Sequence, residues 1–148
     1  MRHHEVVIVG AGISGIGAAV ELRTHGIDDF VLLEKGDAVA GTWRDNTYPG
    51  CACDVPSALY SYSFAPNREW TRLFAGQEEI RRYIERVAGE HRIFRRIRFG
   101  TEMRRAQWDE GSQRWIVDTS SGVITAGALI AAAGPWHEPL VPEIAGLD

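Results

Sequence analysis

Val6–Val9 is a short unbroken apolar run that stops at Gly10. A run without alternation predicts a strand covered on both faces, as in a parallel sheet. Ile13 to His25 is rich in alanine and closes at Gly26, a residue suited to the position just past a helix end. Phe30–Leu33 is a second buried run, ending at Glu34. Together the three predict a βαβ unit. Further on, Ile80, Tyr83, Ile84, Val87 and Ala88 fall on one face of a helix over Gln77–Ala88. Ile97–Phe99 is expected to be a third parallel strand. Arg104–Trp108 and Arg114–Thr119 flank Asp109–Gln113 as a hairpin. A turn at Ser120–Gly122 leads to Val123–Thr125, so the reading is a three-stranded antiparallel meander. Ala128–Ala133 is then an apolar strand of its own, ending at Gly134-Pro135. The class this implies is α/β: a Rossmann-like domain with a parallel sheet, a βαβ unit and an antiparallel β-meander.

The turn after the first strand reads Gly10-Ala11-Gly12-Ile13-Ser14-Gly15. G-x-G-x-x-G alone is a weak signal. Here it follows a strand, opens a helix, and has an acid, Glu34, about 20 residues later, at the end of the next strand. Gly10 permits the tight turn. Gly12 lets a pyrophosphate approach the backbone, and Gly15 lets the helix pack close to the sheet. The helix N-terminus offers unpaired N–H groups to the phosphates, with the Ser14 hydroxyl as a further donor. Glu34 is expected to accept from ribose hydroxyls and to disfavour a 2′-phosphate. Lys35 follows it as a further candidate for cofactor contact.

The stretch Gly41–Phe64, GTWRDNTYPGCACDVPSALYSYSF, has no helical period and only a patchy two-residue one. A loop of that length inside a domain is often functional. Its run G-T-W…N-x-Y-P-G-x-x-C-D…S-x-x-Y-S-Y-S-F resembles the class B flavoprotein monooxygenases, the Baeyer–Villiger enzymes and their flavin-containing and N-hydroxylating relatives. An aromatic loop, a helix and a meander after the βαβ unit also resemble the FAD domain of two-dinucleotide-domain flavoproteins, where a plain NAD domain would continue with further βα units. The resemblance covers nearly the whole chain but only the first part of such an enzyme, so 1–148 is expected to be the N-terminal part of an FAD-binding domain, without the NADP domain.

That resemblance implies FAD as cofactor and NADPH and O2 as co-substrates. It implies insertion of one oxygen atom into a ketone, or a soft nitrogen or sulfur centre, through a C4a-peroxyflavin. It assigns flavin contacts to Thr42, Trp43 and Tyr60, and an adenine contact to the backbone of Met103. Gly134 would end the returning strand near the pyrophosphate. Asp54, in the C-D pair, would lie by the flavin as the catalytic carboxylate and pair with an arginine of the NADP domain. Tyr62 and Phe64 are read as core. The chain departs from the family at Ala40, often glycine, at Thr47, often arginine, and at Ala133 in a strand that usually carries threonine. Against this stands a catalytically incomplete FAD-binding fragment with no activity of its own. A third reading, an FAD-linked disulfide reductase, needs two residues between its redox cysteines, and Cys51 and Cys53 have one.

Composition narrows the field further. The 148 residues fit one domain, and 45% hydrophobic and 24% charged residues are ordinary globular values. A net charge of -4 gives no reason to expect nucleic acid. Nine arginines from Arg81 to Arg105 are read either as a phosphate-facing patch or as a solvated face salted with Glu78, Glu79, Glu85 and Glu90. The cysteine pair suggests no disulfide scaffold and no metal site. With the first strand near Glu5 and no long apolar run, neither a signal peptide nor a membrane span is expected, and the cytoplasm is the expected compartment.

Overall fold

The computed structural model of the chain describes residues 1–147. β1 (Arg2–Val9) leads into α1 (Ile13–Thr24) and β2 (Phe30–Leu33), the expected βαβ unit. A one-turn helix, α2 (Thr42–Asp45), and a 3-10 turn at Ser57–Leu59 interrupt the aromatic segment. Then come α3 (Gln77–Glu90), β3 (Ile97–Arg98), β4 (Met103–Asp109), β5 (Arg114–Thr119) and β6 (Gly122–Ala131). They form one mixed sheet in the order β3-β2-β1-β6-β5-β4. β1 pairs in parallel with β2 and β6, and β2 with β3, while β4, β5 and β6 are the antiparallel meander.

One expectation fails here. Val123–Thr125 and Ala128–Ala133 are not two strands: Val123 to Ala131 all belong to β6, which ends before Ala132. The reason is its position between two partners. Ile124, Thr125 and Ala126 face β5 on one edge and β1 on the other, so the pairing runs through Ala126-Gly127 without a break. Gly127 suits that spot, because a Cβ there would stand 3.1 Å from the Glu5 carbonyl oxygen. The first strand also begins earlier than expected, since β6 gives Arg2 to His4 a partner. The aromatic segment, read as a loop without helical period, carries the α2 turn.

Alternate residues of the central strands enter two cores. Val6, Ile8, Phe30 and Leu32 pack with Ile16, Ala19 and Val20 of α1 and Ile80, Ile84 and Val87 of α3. Val7, Val31 and Leu33 meet Val117, Ile124 and Ala126 of the meander. Both faces of β1 and β2 are therefore covered, which is why their sequences do not alternate. Each fully buried Ile of α3 contributes about 2 kcal/mol. The helix's other face carries Arg81–Glu85, Arg82–Glu78 and Arg86–Glu90 pairs at four-residue spacing. Arg96 lies over the Phe30 ring and 3.7 Å from Asp28. Four of the run's arginines are thus in ion pairs, and none of the run lines the cavity described next. Arg98 donates to His4 Nε2, so the ring proton of buried His4 sits on Nδ1 and is shared with Asp29. Burial pushes the His4 imidazole below its ordinary value, against the Asp29 bond and with the Arg98 charge.

Candidate functional site

A cavity of about 450 Å³ opens at the C-terminal ends of β1, β2 and β6. That volume is in the range of small-molecule sites. It is where an open α/β sheet places its ligands.

The glycine turn forms its floor. Gly10 has φ +100°, and a Cβ there would lie 2.5 Å from the Ala132 carbonyl oxygen. At Gly15 a Cβ would lie 1.9 Å from the Gly10 carbonyl oxygen. These two positions exclude any side chain, one by the turn and β6, the other by the helix closing on the turn. Gly12 differs. A Cβ there would meet nothing nearer than the Gly41 Cα at 3.8 Å, so its missing side chain is open space on the cavity side. No side chain caps α1 and no acid lies in its first turn. Its free N–H groups are available to an anion in the cavity.

Glu34 ends β2 at the adjacent wall, 5% exposed. Its Oε2 accepts from the Ala11 N–H at 2.9 Å, and Oε1 from the Gly36 N–H at 2.8 Å. Arg44 Nη1 donates to the same Oε1 at 3.0 Å. The Asp45 carboxylate, then Glu34, hold the Arg44 guanidinium above its ordinary value against the cost of burial. Lys35 lines the rim, 3.2 Å from Glu138.

The far wall is aromatic. Trp43, 8% exposed, donates through Nε1 to the Tyr60 hydroxyl at 2.8 Å, and the rings meet edge to face at 5.4 Å. Burial pushes the Tyr60 phenol above its ordinary value, so it is neutral and free to accept that bond. The Trp43 carbonyl accepts from Gln77 at the start of α3. Pro49-Gly50 forms the expected sharp turn: Gly50 has φ +83° and the Cys51 N–H returns to the Tyr48 carbonyl. Tyr62 and Phe64 stack at 4.8 Å, and the Tyr62 hydroxyl bonds the Ile13 carbonyl, tying the segment to α1. They serve the core. Ala40 takes φ +83°, a conformation that favours glycine, which explains why its departure from the double-glycine pattern is notable.

The cavity thus brings together Gly10, Gly12, Ser14, Glu34, Lys35, Thr42, Trp43, Tyr60, Met103 and Gly134. Gly15 acts behind them through packing. Asp54 is exposed and outside the cavity lining, although its charge reaches Tyr60. Sequence reasoning missed Arg44, Thr101, Glu102 and the Trp136–Glu138 rim. No linear pattern marks Arg44, which reaches Glu34 only through the fold. The rim carries no pattern of its own.

The family model described as pyridine nucleotide-disulphide oxidoreductase matches residues 7–148. The chain belongs to that family. A Baeyer–Villiger monooxygenase of Streptomyces coelicolor is 53% identical over 147 residues, 99% of this chain and 28% of the relative. One of Pseudomonas aeruginosa is 45% identical over 148 residues, again 99% of this chain and 28% of the relative. Among solved structures, an oxidized steroid monooxygenase bound to NADP superposes with TM-score 0.89 and 40% identity, over 98% of this chain and 29% of that one. The complex of OTEMO with FAD and NADP gives TM-score 0.89 and 34% identity, over 97% and 28%. The chain spans about 28% of the length of the curated relatives it matches. The monooxygenase resemblance read from Gly41–Phe64 therefore stands. The disulfide chemistry in the family's name finds no pair here: Cys51 and Cys53 are free, and Cys53 Sγ is bonded to the Val55 carbonyl. Among the described residues, no group of side chains could hold a metal ion, and no helix is long and apolar enough to cross a membrane.

Proposed function

We propose that residues 1–148 are the FAD-binding portion of an NADPH-dependent flavin monooxygenase that inserts one oxygen atom from O2 into a ketone or a soft nitrogen or sulfur centre. One observation carries this reading. A single cavity joins a glycine turn open at Gly12, a buried ribose-type acid and a Trp–Tyr wall, in a chain 53% identical to a Baeyer–Villiger monooxygenase.

The residues fit FAD piece by piece. Gly10, Gly12, Ser14 and the first turn of α1 would hold the pyrophosphate, with Gly134 on the opposite side. Glu34 and Lys35 would take the adenosine ribose, and the Met103 backbone the adenine. Thr42, Trp43 and Tyr60 would meet the ring system, which a flat apolar wall suits. When bound, the flavin accepts hydride from NADPH and activates O2. The aromatic wall excludes water from it. Asp54, exposed beside this wall, offers a carboxylate to a cation from outside the chain and would orient it near developing negative charge. The free thiols suit a reducing cytoplasm.

A second reading concerns these residues alone: a unit that binds FAD without turnover. The observation favouring it is the share of its relatives that the chain spans. The test is to add FAD to the purified chain, record the visible spectrum, and then add NADPH under air. A bound flavin spectrum supports both readings, and a chain that stays colourless overturns both. Sustained NADPH oxidation by these residues alone sinks the second.

A further inference from the structure

Arg44 has a task that the glycine fingerprint does not describe. Its guanidinium is held on three sides. Nη1 donates to Glu34 Oε1 at 3.0 Å and to the Ala38 carbonyl at 2.6 Å, while Nε and Nη2 grip the two oxygens of Asp45 at 2.6 and 2.9 Å. The turn after β2 is shaped to admit it: a Cβ on Gly36 would stand 2.4 Å from Arg44 Nη1.

The consequence falls on Glu34. A carboxylate offers about four acceptor positions. The Gly36 N–H and Arg44 fill those on Oε1, and the Ala11 N–H fills one on Oε2. One acceptor position, on Oε2, is left for a ligand. The buried carboxylate also depends on Arg44 for its counter-charge. Without it, the carboxylate loses the contact that fixes its Oε1 edge, and Oε2 is no longer held toward the ligand.

We propose that Arg44 is a positioning residue of the dinucleotide site. It fixes the Glu34 carboxylate, so that one oxygen accepts from one ribose hydroxyl of the cofactor's adenosine. This rests on the reading that the cavity takes FAD.

The experiment measures displacement of FAD from the purified chain, by flavin fluorescence, with ADP and with 2′,3′-dideoxy-ADP. The wild-type chain prefers ADP by about tenfold, the worth of a hydrogen bond to a charged group. In Arg44→Met that preference falls to about twofold, because ADP weakens and the dideoxy analogue does not. In a Glu34→Gln background, Arg44→Met changes the preference no further. A purely structural role would weaken both nucleotides equally. Should Arg44→Met fail to fold, judged by thermal unfolding, Gly36→Ala displaces the guanidinium and produces the same loss of preference. A preference in the folded variant equal to that of the wild type, or equal weakening of both nucleotides, overturns the proposal. A wild-type chain that binds no FAD overturns the functional reading itself and the proposal with it.

Discussion

The glycine turn Gly10–Gly15 and the aromatic segment Gly41–Phe64 line one cavity by opposite means. The turn works by omission. Gly10 and Gly15 are positions where any Cβ would collide with backbone oxygen, and Gly12 is a position where a Cβ would enter open space of the cavity. The aromatic segment works by addition. Trp43 is bonded to Tyr60, its carbonyl is held by Gln77, and Tyr62 reaches back to Ile13. Atoms that must be absent impose hard steric limits, which tolerate nothing. Atoms that must be present can be replaced at a graded cost. A cavity of this kind has a rigid, backbone-made side and an adjustable, side-chain-made side.

The sharpest test of that contrast lies within the turn itself. Gly15→Ala should cost about 4 kcal/mol or more, a large fraction of a domain's ordinary stability, and thermal unfolding would show it. Gly12→Ala should change stability by less than about 1 kcal/mol yet weaken FAD binding at least tenfold, seen by fluorescence titration. If the two substitutions destabilise alike, Gly12 is not a ligand-facing vacancy and the comparison fails.

On the aromatic side the effects should be smaller and graded. Trp43→Ala removes a buried ring and should cost about 3 kcal/mol, read as a lower urea midpoint. Tyr60→Phe leaves the Trp43 N–H without its acceptor and should cost about 1–2 kcal/mol. A Tyr60→Phe protein as unstable as Trp43→Ala would mean that the wall fails as a unit. Asp54→Asn marks the lower limit. The side chain is exposed, so stability should stay within about 0.5 kcal/mol of wild type and FAD affinity should not move. A clear loss of FAD affinity in this variant would bring Asp54 into the cofactor site proper.

Much of the turn's side was readable in advance. Hydrophobic runs without alternation marked β1 and β2, and both proved to be covered on two faces. The spacing from Gly15 to Glu34 follows from the length of one helix and one strand, so it survives as a linear pattern. Arg44 was not readable. It meets Glu34 only because Gly36 has no side chain and α2 turns back over it. The boundary between β5 and β6 was readable from Ser120–Gly122, but the continuity of β6 was not, since its hydrogen bonds are decided by neighbours far away in the chain.

The sequence by itself determined what depends on local sterics and short-range periodicity: the βαβ unit, the helix start at the glycine turn, the acid at the end of β2 and the α3 face. Family membership was also carried there, because a motif is a linear object. Tertiary structure alone decided which groups share the cavity. Glu34 receives Arg44 from the turn beyond it, Trp43 receives Tyr60 across the intervening segment, and Asp54 is left outside. These pairings form because burial of the shared core brings the segments together, and hydrogen-bonding groups enclosed with it must then find partners. No spacing rule along the chain encodes that requirement.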